Sequence, residues 1–301
     1  MPHSDILAEI DLPPSGIRRI EDVAYPDGYF PEDAQPDPNL PHRSEVMRFY
    51  SYQLHLRNLL DCIQLEVYPP GMELTDSAKN KTLRDLLHEW LETDWRSALP
   101  PEIDCTEKDR PPRDINQARL RGKYFGALYI IHRPMVHYAL ELESKGELNH
   151  YLAQGEAPNF GAMAPPKTPI NSFQGEVLNS ARIAIEAAIQ STQAFDEAMT
   201  MKRLIVTNIF GTAHAQFGNM LILSAVYRSK SLKHFISSTP SSSPKTTMTF
   251  LFKRTIHFLK TLTPISATLG HDARILECLQ RYIFENEEDE PMEVATSTSF
   301  G

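Results

Sequence analysis

An apolar stripe with helical spacing runs through residues 114–144 and keeps its phase across a proline. Its members recur at the steps expected for one face of a 3.6-residue helix. They are Leu120, Tyr124, Ala127, Leu128, Ile131, Met135, Tyr138, Ala139 and Leu142. Asp114 is placed to cap the first turn. We therefore predict one helix that bends at Pro134, and burial of the stripe must offset the cost of about 3 kcal/mol for a proline in a helix interior.

Helical periodicity recurs in six further segments, and no alternating strand pattern rises above noise. The predicted helices cover residues 43–67, 78–96, 172–201, 203–229, 248–262 and 265–284. In the second of these, we expect Leu83, Leu86, Leu87, Trp90 and Leu91 to share the buried face. Because the segment 203–229 is apolar almost all round, we place it at the centre of the fold. The fold class is predicted to be all-α, as an irregular multi-helix bundle.

Proline-rich and polar stretches divide the chain into three regions. We predict an extended proline-rich arm over 1–42, a helical domain over 43–284 with mobile loops near 145–170 and 235–247, and a disordered acidic tail over 285–301.

The charge balance argues against direct contact with nucleic acid. The formal net charge is −9, so the chain has no global field to attract a polyanion. The nearest approach to a basic patch is Arg119, Arg121 and Lys123, with Arg133 further along. We interpret these four residues as a solvated helix face.

The three cysteines, Cys62, Cys105 and Cys278, are too far apart in sequence for a metal knuckle. An odd cysteine count and the lack of a basic-then-apolar signal pattern indicate reduced thiols inside a cell. No apolar run reaches the roughly 20 residues that span a membrane. We therefore expect no membrane partner.

Searches for catalytic motifs give only incomplete matches. The segment 88–92 begins like a zinc-protease helix but has a glutamate where the second histidine is required. Glu147 and His150 form a single carboxylate–histidine pair, whereas a di-iron bundle needs two. His132 and His137 are five residues apart and point in different directions on a helix. We predict no enzyme activity, no metal site and no cofactor in this chain.

Four stretches, taken in order, resemble the regulatory region of fungal zinc-cluster (Zn2Cys6) transcription factors. They are DLPPSGIRRIED followed by Tyr25-Pro26; Leu86-x-x-x-Trp90 followed by Trp95-x-x-x-Leu99-Pro100; LRGKYFGALYIIHRPMVHYAL at 120–140; and FKRTIHFLKTLTPISATLGHDARIL at 252–276. The third is the most specific, because it matches the family's helix centred on Arg-Pro. The resemblance covers residues 4–284.

The resemblance implies that the motif residues are structural. They are Trp90, Trp95, Tyr124, Tyr129, Arg133, Pro134 and Tyr138. Our hypothesis for Arg133 is that its guanidinium binds a carboxylate or the backbone carbonyl freed at the kink.

By resemblance, the chain is a non-catalytic regulatory domain of a nuclear transcription factor that binds co-regulators or a second subunit and, as a further option, a small effector. The family's six-cysteine cluster lies N-terminal to this domain and is not in this chain, so we expect a C-terminal part of a larger factor or a truncated gene product. Two alternatives stay open. One is a stand-alone helical interaction protein without DNA binding, and the other is a helical enzyme of the terpene-processing type.

Overall fold

The computed structural model describes residues 43–69, 80–101, 110–148, 172–197, 209–237, 242–264 and 266–288, with the single positions 71 and 103. Within these ranges the chain forms seven α-helices and no β-strand. They are α1 (Arg43–Val67), α2 (Lys81–Trp90), α3 (Ile115–Ser144), α4 (Ser172–Gln193), α5 (Ile209–Arg228), α6 (Pro244–Thr261) and α7 (Ala267–Glu288). The predicted all-α bundle is confirmed. The predicted arm over 1–42 lies outside the described residues.

Helix α3 is the centre of the bundle. It packs against α1, α2, α4 and α5, while α6 and α7 pack on each other and on α5. The prediction that the segment 203–229 is central is confirmed in part for its described residues. Helix α5 packs on α3, α4, α6 and α7, but it leaves Ala215, Gly218, Leu221 and Ala225 exposed along one side. Three of these four residues are small, so the apolar character of the segment did not report burial.

The capping chemistry explains two helix starts. Asp114 is the N-cap of α3, and its carboxylate accepts hydrogen bonds from the amides of Asn116 and Gln117, both at 2.9 Å. Ser243 caps α6 by accepting from the amide of Thr246 at 3.1 Å. Because proline is favoured at the first helical position, α6 starts at Pro244 rather than at 248. The last four residues of the predicted loop 235–247 are therefore helical.

Two other predicted boundaries differ from the structure. Helix α4 ends at Gln193 and a turn follows over 194–197, so the helix does not continue to 201 as predicted. Helix α7 continues to Glu288, so the first four residues of the predicted tail 285–301 belong to a helix. Glutamate is a good helix former and supplies three of these four residues, which is why a charged composition alone did not mark the end of α7.

The buried side of α2 is narrower than predicted, since Leu83, Leu87 and Leu91 pack on the core and two other predicted members do not. Leu86 and Trp90 are exposed by 58% and 40%, whereas Leu87 and Leu91 are buried. After Trp90 the backbone widens into a π-helical turn over 91–95, in which the amide of residue 96 bonds to the carbonyl of Leu91. The wider turn keeps Trp95 in line with Leu87 and Leu91, so the second tryptophan enters the core instead of the first.

None of the described helices has the length and apolar character needed to cross a bilayer.

Candidate functional site

The kink of α3 at Pro134 is stabilised by the side chains of Tyr68 and Arg133. Pro134 has no amide hydrogen, so the carbonyl of Ile130 loses its partner in the helix. The hydroxyl of Tyr68, just after α1, donates to that carbonyl at 2.6 Å. Arg133 then donates from Nε to the Tyr68 oxygen at 3.1 Å, and its guanidinium lies 4.5 Å from the centre of the Tyr68 ring. The freed acceptor is thus satisfied by a tyrosine that an arginine holds in place.

This arrangement refines the hypothesis for Arg133. The guanidinium does not bind the freed carbonyl directly; it acts through Tyr68. Burial raises the pKa of Tyr68 far above its ordinary value, although the neighbouring arginine acts in the opposite direction. The hydroxyl therefore keeps the proton that it donates to Ile130.

Trp95 and Tyr124, two of the motif residues, pack together on the side of α3 that faces α2. Their rings are stacked with centres 5.7 Å apart, and the indole Nε1 donates to the carbonyl of Tyr52 at 3.1 Å. The Tyr124 hydroxyl hydrogen-bonds to Glu92, which also forms an ion pair with Arg96 at 2.9 Å. Trp95 is only 2% exposed, so the ring stack lies in the core, whereas the side chains of Glu92 and Arg96 at its edge are partly exposed.

A pair of histidines also lies between α2 and α3. Nε2 of His132 is 3.0 Å from Nδ1 of His88, and the rings meet edge to face. Burial, together with His88 and Arg84, lowers the pKa of His132 to about 3. This pair could not be predicted from the sequence, because its members come from different helices. In the described part of the chain no group of three metal-ligating side chains is present.

The interpretation of the basic residues of α3 as a solvated face was wrong. Arg121 is 2% exposed and donates to the side-chain oxygen of Gln190 at 2.9 Å. Arg119, Lys123 and Arg133 lie on the other side of the helix and line a cavity that is partly open to solvent at Ala215 and Gly218. Charged residues with helical spacing normally face water, so sequence alone could not distinguish a surface from a cavity wall.

The cavity has a volume of about 210 Å³ and lies between α3, α4 and α5, with Leu60 of α1 at one end. Four of the chain's 13 glycines line it, and this concentration is the one sequence signal that could have indicated open space between helices. The four are Gly122 and Gly126 of α3 and Gly211 and Gly218 of α5.

The two glycines of α3 have different roles. A Cβ atom on Gly122 would lie 2.9 Å from the ring of Phe195, so this glycine lets the ring approach the helix backbone. The carbonyl of Gly122 also accepts from Ser191 Oγ at 3.0 Å, which ties α3 to α4. A Cβ on Gly126 would meet nothing closer than Ser191 Oγ at 3.8 Å, so the wall there is open. The open part of the cavity wall therefore lies beside Gly126, one helical turn after the position where the Phe195 ring packs on Gly122.

Polar groups in the cavity wall carry unused hydrogen-bonding capacity. Gln216 is 4% exposed, and its Nε2 has no hydrogen-bond partner among the described residues. Nε of Arg119 is also buried without a partner there, and burial lowers the pKa of this guanidinium. Asn219 donates to Thr192 at 3.3 Å. Buried donors without partners are costly, so these groups favour a hydrogen-bond acceptor in the cavity, such as water or the oxygen of a bound molecule.

The remaining motif residues are spread over the fold. Tyr129 is buried and lines the cavity, Tyr138 is half-buried beside the core, and Trp90 is largely exposed. Glu147 is exposed and His150 lies outside the described residues. The structure thus brings together Tyr129 and Arg133 at the cavity, while Trp95 and Tyr124 meet on the opposite side of α3.

Comparisons with protein-family models, with curated proteins and with solved structures found no significant match to this chain.

Proposed function

We propose that this chain is the non-catalytic regulatory domain of a fungal transcription factor. It acts in the nucleus on transcription by RNA polymerase II, through co-regulators or a second subunit rather than through direct contact with DNA. The DNA-binding zinc cluster of the family is supplied from outside the residues of this chain.

One observation carries the proposal: the most family-like segment, residues 120–140, lies within the central helix of the bundle. The same segment supplies the stack of Tyr124 on Trp95, the kink at Pro134 and one wall of the cavity. A ligand or partner that changes this helix would change its contacts with four neighbouring helices at once. A regulatory domain needs such coupling, because its ligand acts by shifting the equilibrium between two arrangements of the packed helices.

The test is a fusion of the chain to an unrelated DNA-binding domain, placed upstream of a reporter gene in a fungal host. We expect reporter expression to rise or fall severalfold relative to the DNA-binding domain alone. A Trp95→Ala fusion, which loses the core stack, should lose the effect, and the matched Trp90→Ala fusion should keep it.

Reporter expression equal to that of the DNA-binding domain alone, from a folded and nuclear fusion, would overturn the proposal. A purified chain that is a stable monomer with specific protein partners would then favour the stand-alone interaction protein. Thermal stabilisation by a metal ion together with a prenyl diphosphate would favour the helical enzyme.

A further inference from the structure

The described wall of the cavity carries cationic but no acidic side chains. Three cationic residues line it, and none of the described residues in its wall is acidic. Arg119 has the clearest capacity to bind a ligand, because its buried Nε has no hydrogen-bond partner in the described part of the chain. The donors of a guanidinium match the two oxygens of a carboxylate, so this residue favours an anion. This is unexpected in a chain whose net charge is −9.

A second observation points to a ligand. Gln216 is almost completely buried in the same wall, and its side-chain amide nitrogen has no partner in the described part of the chain. A buried amide is normally satisfied, because an unmade hydrogen bond costs about 1–3 kcal/mol. An oxygen atom of a bound molecule would supply the missing acceptor.

The other end of the cavity is mainly apolar. Gly126, Ile130 and Leu60 line it, together with the ring of Tyr129, and the cation at this end, Arg133, is hydrogen-bonded to Tyr68. An engineered apolar cavity of about 150 Å³ binds benzene. The present volume of about 210 Å³ therefore holds a ring of that size and a few further atoms.

We infer that the cavity binds a small monocarboxylate with an apolar body, such as an aromatic or branched-chain acid. Its carboxylate pairs with Arg119 and accepts a hydrogen bond from Gln216, and its apolar body lies along Gly126 and Ile130. The inference that this site binds a carboxylate depends only on the residues of the cavity. The inference that the site is the sensor of a regulatory domain depends on the function proposed above.

Phenylacetate and its neutral isostere phenylacetamide are the probes, titrated calorimetrically into the full chain. Both fill the apolar end, but only phenylacetate carries a charge. We expect phenylacetate to bind at least about tenfold more tightly, since hydrogen bonds to charged groups are worth roughly 1.5–3 kcal/mol. Equal affinity for the two probes, or no binding of phenylacetate at millimolar concentration, would overturn the inference.

Three variants locate the site, each checked for helix content and thermal unfolding. Arg119→Met should lower phenylacetate affinity about tenfold and leave phenylacetamide unchanged, and Arg119→Lys should restore most of the preference. Gly126→Leu should abolish binding of both probes, because its side chain fills the open wall. Arg48→Met, on the exposed part of α1, is the matched control and should change neither affinity. Binding that survives Gly126→Leu in a folded protein would place the ligand elsewhere and overturn the inference.

The tethered reporter separates the two proposals. Phenylacetate could bind in the calorimeter while reporter expression stays the same when the acid is added. That result would support the ligand site and overturn its sensory role. Reporter activity from a chain that binds neither probe would keep the proposed function and overturn the ligand site.

Discussion

The two faces of α3 have different chemistry on the same helix. The packed face, defined by Arg121, Tyr124 and His132, lies against neighbouring helices, and each of its polar side chains has at least one partner. The cavity face, defined by Arg119, Gly126 and Arg133, borders open volume. Among the described residues, buried nitrogens without a hydrogen-bond partner occur on both faces, at Nε of Arg119 and at Nδ1 of His132. The difference between the faces is therefore one of packing, because neighbouring side chains fill the space beside one face and leave volume open beside the other.

The difference between the packed face and the cavity face distinguishes two kinds of basic residue that sequence alone does not separate. Arg121 and Arg119 are two positions apart, so they lie on opposite sides of the helix. The first donates a hydrogen bond to Gln190 in the core, and the second lines the cavity. Substitutions on the packed face should therefore reduce the free energy of unfolding, and those on the cavity face should spare it.

The largest expected effect is the loss of Trp95 from the packed face. We expect Trp95→Ala to lower the free energy of unfolding by about 3–5 kcal/mol, because it removes a buried ring and leaves a cavity. Trp90→Ala, in the adjacent turn, should cost less than about 1 kcal/mol. Urea unfolding followed by circular dichroism measures both. Equal losses at the two tryptophans would contradict the assignment of the buried face of α2.

The second-largest change in the free energy of unfolding is expected at the kink at Pro134, where the packed face and the cavity face meet. Tyr68→Phe removes the donor to the Ile130 carbonyl and should lower the free energy of unfolding by about 1–3 kcal/mol. Pro134→Ala restores an amide that can bond to that carbonyl. The double variant should therefore lose less than the sum of the single variants, in a thermodynamic cycle measured by urea unfolding. Additive losses would show that Tyr68 does not compensate for the proline.

Acid should weaken the packed face through His132. Its pKa is about 3 in the folded state, against 6.5 for an ordinary histidine, so only the unfolded chain takes up the proton between these values. The stability that the neutral ring contributes is complete above 6.5 and falls as the pH drops toward 3. Between pH 7 and pH 5.5 we expect the folded chain to lose about 1 kcal/mol from this group.

The measurement compares urea unfolding of the native chain and of a His132→Gln variant at both pH values. The pKa of His88 is also lowered by burial, so part of the acid sensitivity should remain in the variant. The same loss in both proteins would show that His132 is not the group responsible.

The smallest effect distinguishes the two glycines of α3. Gly126→Ala should raise the free energy of unfolding by up to about 1 kcal/mol, since alanine favours the helix and the new methyl group has room. Gly122→Ala should show no such gain, because its methyl group would press on the ring of Phe195. A gain of equal size at both positions would mean that the ring moves away freely.

Sequence periodicity predicted the helices well where the buried residues follow regular α-helical spacing. The bounds of α1 and the capping of α3 by Asp114 were correct, because both depend on local chemistry. The exposure of Trp90 was missed, since a π-helical turn changes which residues share a face. The arm over 1–42 and the tail beyond 288 stay predictions, because they lie outside the described residues.

The candidate site was harder to predict than the fold. The partner of the Ile130 carbonyl, Tyr68, and the unpartnered Gln216 come from helices or turns far away in the sequence. Periodicity along one helix carries no information about what that helix meets. Only the glycines of α3 and α5 gave a local hint, and their meaning depended on the two helices facing each other.

The bond from Tyr68 to Ile130 also sets an order of folding events. It joins residues 62 positions apart, so it forms only after the chain between them has closed into a loop. The two halves of α3 can nucleate locally, but their junction waits for the end of α1 to dock. Amides near the junction should therefore exchange with solvent as one unit with the last turn of α1, since the two segments open together.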